Sequence, residues 1–534
     1  MNFIDGRAMF RAVLQTGFTW VALGAGSVGV AAQDAPTLET LLRGRVEALR
    51  NGSLPYAADD RLLTRAALSA FYEERGYLPA WVGQSDTDDL LTALVGSIRV
   101  APEHGLEWDD YHGEAIESLL IRASRETLTL SDQVDLELLA SDAFMLLGSH
   151  LLHGRVNPET INPEWLANRR SADLHRVLAV ALDERRIEAA LYADLAPQQP
   201  RYQSMLIAAA RLRRVESEGG WPRVEAGPRL EVGVDDSRVA ALRTRLRASA
   251  DLQEGRSVSG AFDEALADGV RAFQTRHGLD VDGVVGPATL AALNVSAADR
   301  ARQIEVNLER WRWLPADLGE RHIEVNIAGF DVKVVEGGRT VRRHRAVVGR
   351  QYRETPMFSG SMTYMVLSPY WHVPPTIAAV DKLPQIKQST EYLAAQRMTL
   401  LDQRSNQPVD PASVDWTGLS GPDFNRQYRL RQDPGPSNAL GAVKFMFPNA
   451  HNVYLHDTPS RELFDRASRS FSSGCIRVER PLDLAEYLLA DQPDWTRTRI
   501  DQAAGKTVEQ TVRLTRAVPV HLLYWTAWAD EEGL

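Results

Sequence analysis

The sequence predicts a multidomain α+β protein: a helical N-terminal domain, a small helical bundle, and a mostly β C-terminal domain with a long insertion. Three observations predict it. Apolar residues recur at helical spacing through the stretch IEVNLERWRWLP. The pattern then changes to alternating stretches rich in Val and Ile. A polar segment finally interrupts those strands. The 534 residues suffice for three or four units of about 150 residues each. A net charge of −11 argues against a general nucleic-acid binder, which needs a basic surface to meet phosphates.

In chain order, residues 1–32 read as an export segment. Arg7 and Arg11 precede a small-residue, mostly apolar stretch from Ala12 to Ala32, and Val30-Ala31-Ala32 fits a cleavage site. The stretch is near the length that spans a bilayer, so a retained single-span anchor is the rival reading, and a buried helix the third. Either exported reading places the body outside the cytoplasm. Residues 36–230 read as a helical scaffold domain. Leu136, Leu139, Phe144, Leu147 and Leu151 share one helix, which Gly154 and Pro158 end. His150 and His153 lie three apart on it, but no third ligand is near, so they read as packing or surface residues.

Residues 232–297 form a compact bundle. Val239, Leu242 and Leu246 line one helical face, and Phe262, Leu266, Val270 and Phe273 line another. Gly283 and Gly286 permit tight turns, and Pro287 suits the first turn of a closing helix. Residues 300–525 form the mostly β domain. Gly337-Gly338 marks a hairpin. The insertion spans 373–437, is rich in Pro, Gln, Asp and Ser, and holds a short helix in IKQSTEYLAAQRM. Its aromatics Trp416, Phe424 and Tyr428 favour a folded lid over a disordered loop.

Cys475 is the only cysteine, in FSSGCIRV. An exported protein usually recruits cysteines in pairs, so one is either an inert core residue or a nucleophile. A thiol is mostly protonated at neutral pH, and a neighbouring imidazole can take its proton. His456 in VYLHDTP, nineteen residues upstream, is the candidate. The Ser-Ser-Gly run lets the chain turn sharply, so that N–H groups near Gly474 and Cys475 can face an oxyanion. Arg477, two residues on, shares a strand face with Cys475 and suits a carboxylate.

VRAFQTRHGLDVDGVVGPATLAALN resembles the peptidoglycan-binding domain family. The arrangement H…SSGCIRV resembles the active-site signature of YkuD-type L,D-transpeptidases, and GPSNALGAVKFMFPN, VYLHDTP and FSSGCIRVERPLDLAEYLL are similar to their long, lid-bearing Gram-negative branch (YcbB-like). The resemblance covers nearly everything after the export segment. Where the common pattern has a second His and an Asn, this chain has Ser473 and Arg477, which puts any role of a second imidazole in doubt. The resemblance implies Cys475 as acylated nucleophile, and His456 as base, oriented by a backbone carbonyl, that of Asp457. It implies Gly474 and Cys475 amides as oxyanion donors, with Tyr454, Ser473 and Arg477 lining the pocket. Trp371 and Trp416 are candidates for cleft wall or for core. The implied donor is a peptidoglycan stem tetrapeptide and the implied acceptor a diamino-acid amine on another stem, giving a 3→3 cross-link in the periplasm. No metal or organic cofactor is implied. Peptidoglycan synthases and, through the first segment, the inner membrane are the other candidate partners. Hydrolysis at the same site, attachment of a lipoprotein, or a wall-binding protein without activity are the competing readings.

Overall fold

The computed structural model describes residues 36–530 except Leu54, 84–87, 162–169, Glu254 and 256–259. The export segment read at 1–32 lies outside the described residues. No described helix is long and apolar enough to cross a membrane.

Helix α1 (Leu130–His153) is the axis of the scaffold domain. Its residues from Val134 to Gly148 are buried almost all round, as expected for a helix inside a helical core. Thr129 caps its first turn by accepting the Asp132 amide at 3.2 Å. Two acids on α1 are also buried. Glu137 accepts the backbone amides of Ala80, Trp81 and Val82. Asp142 accepts those of Leu63 and Thr64 and binds His112. Loop amides have no ladder partner of their own, so these carboxylates fix two loops against the helix. His150 bonds the Tyr111 hydroxyl at 2.9 Å.

Helix α2 (Pro200–Ser217) closes the scaffold. The bundle follows with α3 (Arg238–Ala248), α4 (Glu264–Arg276) and α5 (Pro287–Leu293). Val239, Leu242, Leu246, Phe262, Leu266, Val270 and Phe273 form its core. Val224 and Leu230, assigned to the scaffold at 36–230, pack into this core instead. The segment after α2 has no helical period to reveal which side it joins. Helix α6 (Ala297–Arg312) then packs along α2. Tyr202, Met205, Leu308, Trp311, Trp313 and Trp525 share one cluster, and Trp311 stacks on Trp525 with centroids 4.8 Å apart. Arg312, fully buried, donates to the His104 carbonyl and pairs with Glu309 at 2.9 Å.

The C-terminal domain is built on β1 (Arg321–Asn326), β2 (Asp331–Glu336), β3 (Arg339–Gly349) and β4 (Phe358–Leu367). Gly337 and Gly338, both at positive φ, make the two-residue turn from β2 to β3. The next strands are β5 (Trp371–His372), β6 (Met398–Asp402) and β7 (Tyr428–Gln432). They are followed by β8 (Val443–Met446), β9 (Leu455–His456), β10 (Ser470–Ser472), β11 (Ile476–Val478) and β12 (Gln510–Leu523). The large sheet runs β10-β3-β11-β9-β8-β4-β12-β1-β2, and a β2–β3 pairing closes it, with β10 left outside the closure. Closure removes most exposed edges. One face holds Ile323, Val348, Phe445, Leu455, Ile476 and Val478 in a core shared with helices Pro481–Leu488 and Arg497–Ala504.

The insertion folds on its own core of Trp371, Val373, Ile386, Leu400, Phe424 and Leu430. Beside short helices it carries a three-stranded sheet, β5-β7-β6, whose first strand, Trp371–His372, lies just before the expected start at 373; the composition did not reveal this sheet.

Candidate active site

Strands β9 and β11 are parallel neighbours, with Leu455 opposite Ile476 and His456 opposite Arg477. Leu455 and Ile476 point into the core. Alternation therefore sends Tyr454, His456, Cys475 and Arg477 together to the opposite face. On the far side of β9, Lys444 of β8 stands opposite His456.

A network of short-range bonds fixes the turn before Cys475. Gly474 has φ of +114°, a region that L side chains rarely adopt. Ser472 Oγ donates to the Cys475 carbonyl at 2.6 Å and accepts the Gly474 amide at 3.1 Å. Thr355 Oγ1 donates to the Gly474 carbonyl at 2.8 Å and accepts the Gly349 amide at 2.9 Å. The Gly474 N–H, expected to face an oxyanion, is thus engaged by Ser472. The amide of Cys475 has no acceptor among the described residues, which leaves it as the donor on this turn.

His456 is 5% exposed. Its Nδ1 lies 2.5 Å from the Asp457 carbonyl oxygen. A carbonyl only accepts, so Nδ1 carries the proton and Nε2 keeps a free lone pair. Asp457 is held in turn: its amide donates to Val443, and its carboxylate accepts the Ala442 amide at 2.8 Å and faces Arg461. Gly441, at φ +58°, permits this approach, because a Cβ there would lie 2.3 Å from Asp457 Oδ2.

The thiol of Cys475 is part-exposed and lies 3.9 Å from the Asn452 carbonyl oxygen. Burial pushes its pKa up, against the Tyr454 amide and hydroxyl and the charges of Arg477 and Lys444, which favour the thiolate. Burial, then Arg477, pulls His456 down to about 3, and Lys444 adds to this against the Asp457 carbonyl. The resting groups are thus a protonated thiol and a neutral imidazole on one face of neighbouring strands, the starting point for proton transfer during attack.

The remaining site residues fall around this pair. Tyr454 packs against the insertion's core, with Cys475 on one side of its hydroxyl and Trp371 on the other. Trp371 is 7% exposed and belongs to that core. Trp416 packs within the insertion, donating to the Pro411 carbonyl at 2.8 Å. Ser473 is exposed, and its Oγ lies 3.1 Å from Arg353 Nη1. Arg353 also holds Asp381 of the insertion, at 2.5 and 3.2 Å. Sequence reasoning missed Lys444, Arg353 and Asp381. Lys444 lies within the family-like stretch GPSNALGAVKFMFPN, but only strand register puts it opposite His456.

Residues 320–509 match the family model described as "L,D-transpeptidase catalytic domain". Residues 235–293 match "Putative peptidoglycan binding domain", and 66–208 match "Scaffold domain". A "Putative L,D-transpeptidase" of Haemophilus influenzae is 37% identical over 235 residues, which cover 44% of this chain and 46% of that protein. The chain thus spans under half the length of that relative. An N-acetylmuramoyl-L-alanine amidase, CwlM, of Mycobacterium tuberculosis is 30% identical over 138 residues, covering 24% of this chain and 34% of that protein. Among solved structures, an L,D-transpeptidase of Stackebrandtia nassauensis is 13% identical with a TM-score of 0.23, over 57% of this chain and 96% of that one, a likeness too low to carry an argument. Along the chain, in order, lie matches to a scaffold domain, a peptidoglycan-binding domain and a YkuD L,D-transpeptidase catalytic domain, the last spanning the strands that carry Cys475 and His456.

Proposed function

We propose that the protein is a cysteine L,D-transpeptidase of peptidoglycan, acting outside the cytoplasm. The observation that carries this reading is the β9–β11 register, which puts Cys475 and His456 on one face of neighbouring strands, with His456 Nδ1 bound to the Asp457 carbonyl. His456 Nε2 accepts the thiol proton as sulfur attacks the L-centred carbonyl of the third residue of a stem tetrapeptide. The C–S bond forms, the C–N bond to terminal D-Ala breaks, and the proton passes from His456 to the departing amine. The Cys475 amide faces the transient oxyanion. A diamino-acid amine of a second stem then attacks the thioester and gives its proton to His456. The sulfur leaves as thiolate and regains that proton, completing a 3→3 cross-link. The insertion, anchored on Tyr454 and through Asp381 to Arg353, supports transfer over hydrolysis by shielding the thioester.

Disaccharide-tetrapeptides incubated with the protein provide the test. Mass spectrometry is expected to find 3→3 dimers and free D-Ala, and neither with Cys475→Ala. Tripeptide monomers without dimers would make the enzyme a carboxypeptidase. Intact tetrapeptide with the wild type would leave a wall-binding protein.

A further inference from the structure

Arg477, His456 and Lys444 stand directly opposite one another on β11, β9 and β8, and so form one row across three strands. Neighbouring strands lie about 4.8 Å apart. Lys444 Nζ sits 5.4 Å from the Tyr454 ring centroid, over the ring that also borders Cys475. Lys444 has no ion pair among the described residues. Glu509 is the acid whose charge reaches it, and the Glu509 carboxylate accepts the Tyr370 amide at 3.2 Å. His372, with Arg429 and Arg431, lies on the insertion side of the same pair. A half-buried ammonium without a carboxylate partner is costly, and such groups are kept where a ligand supplies the missing charge.

The row also has a direction. Cys475 lies beside β9 on the β11 side, His456 lies on β9, and Lys444 lies one strand further. A base that protonates the leaving amine must come within about 2.6–3.2 Å of it. The amine of an expelled amino acid is about 2.5 Å from its own carboxylate carbon, by standard bond lengths. Attack at Cys475 and protonation at His456 therefore aim that carboxylate along the row, toward Lys444.

Resting on the transpeptidase reading, we propose that Lys444 is a specificity residue that binds the terminal carboxylate of the residue the reaction expels. It selects stem peptides that end one residue beyond the scissile bond. A longer peptide puts a neutral amide at that point and leaves the ammonium unpaired.

The test compares two synthetic donors, a stem tetrapeptide ending in a free acid and the same peptide ending in a carboxamide. Release of D-Ala or D-alaninamide is followed by mass spectrometry to give kcat/KM for each. The wild type is expected to favour the acid by about tenfold or more, the scale of a charge-assisted bond. Lys444→Met is expected to reduce that preference to within about twofold, and Lys444→Arg, which keeps a cation, to retain it. A Lys444→Met protein that keeps the wild-type preference overturns the assignment. Equal use of both donors by the wild type overturns it without any variant. Release from neither donor by the wild type removes the transpeptidase reading and this assignment with it.

Discussion

In the proposed reaction His456 starts neutral, and its surroundings are the reason. Burial disfavours a second proton, the flanking Arg477 and Lys444 charges disfavour it further, and the Asp457 carbonyl only partly compensates. Protonation would remove the base, so a lowered pKa moves loss of activity to more acidic pH. The rate of Cys475 acylation by a carbapenem is accordingly expected to stay level between about pH 5 and 7, where a free imidazole titrates. An acid limb centred near 6.5 would contradict this account. At this scale the residues were readable: a unique Cys475 after Ser-Ser-Gly, and His456 in VYLHDTP. The Cys475 amide was legible as an oxyanion donor too, but the loss of the Gly474 amide was not, because its engagement by Ser472 Oγ depends on the turn's φ and ψ. Lys444 was hidden for a different reason. Its chemistry comes from the partner across the strand, and one sequence does not give register.

Between the insertion and the catalytic turn, Arg353 makes the shorter of two arginine links to Asp381, and Arg350 the longer at 3.9 Å. Arg353 grips Asp381 with two nitrogens and reaches Ser473 Oγ, so the insertion and the turn bearing Cys475 share a residue. The pair is part-buried, and its energetic weight is modest, of order 1 kcal/mol. That is enough to shift how long the cleft stays covered without unfolding the domain. Asp381→Asn is expected to raise hydrolysis relative to transfer about two- to fivefold, read as the ratio of tripeptide monomer to 3→3 dimer. An unchanged ratio would mean that the link does not hold the cover in place. Composition and aromatics made a folded insertion legible, but its sheet was not. Strands β5, β6 and β7 run two to five residues, too short for a period to register, and β5 pairs with a strand over fifty residues away.

Across the whole molecule, the helical and β parts are joined by packing as well as by chain. Helix α6 lies against α2, Trp311 stacks on Trp525, and Gln303 and Asn307 bond Thr526 at 2.7 and 2.9 Å. Trp311 and Trp313 are both buried at this junction. The scaffold–bundle boundary was misjudged because Val224 and Leu230 sit in an irregular segment whose allegiance only the core reveals. In the proposed reaction this architecture brings one sulfur and one imidazole to one face of neighbouring strands. The most direct test of that claim is the intact mass of the full-length protein after exposure to a stem tetrapeptide or a carbapenem. The account predicts one acyl group added to the wild type, none to Cys475→Ala, and acylation slowed about a hundredfold or more in His456→Ala. Wild-type protein that stays at its unmodified mass, or Cys475→Ala protein that gains the same adduct, would contradict it.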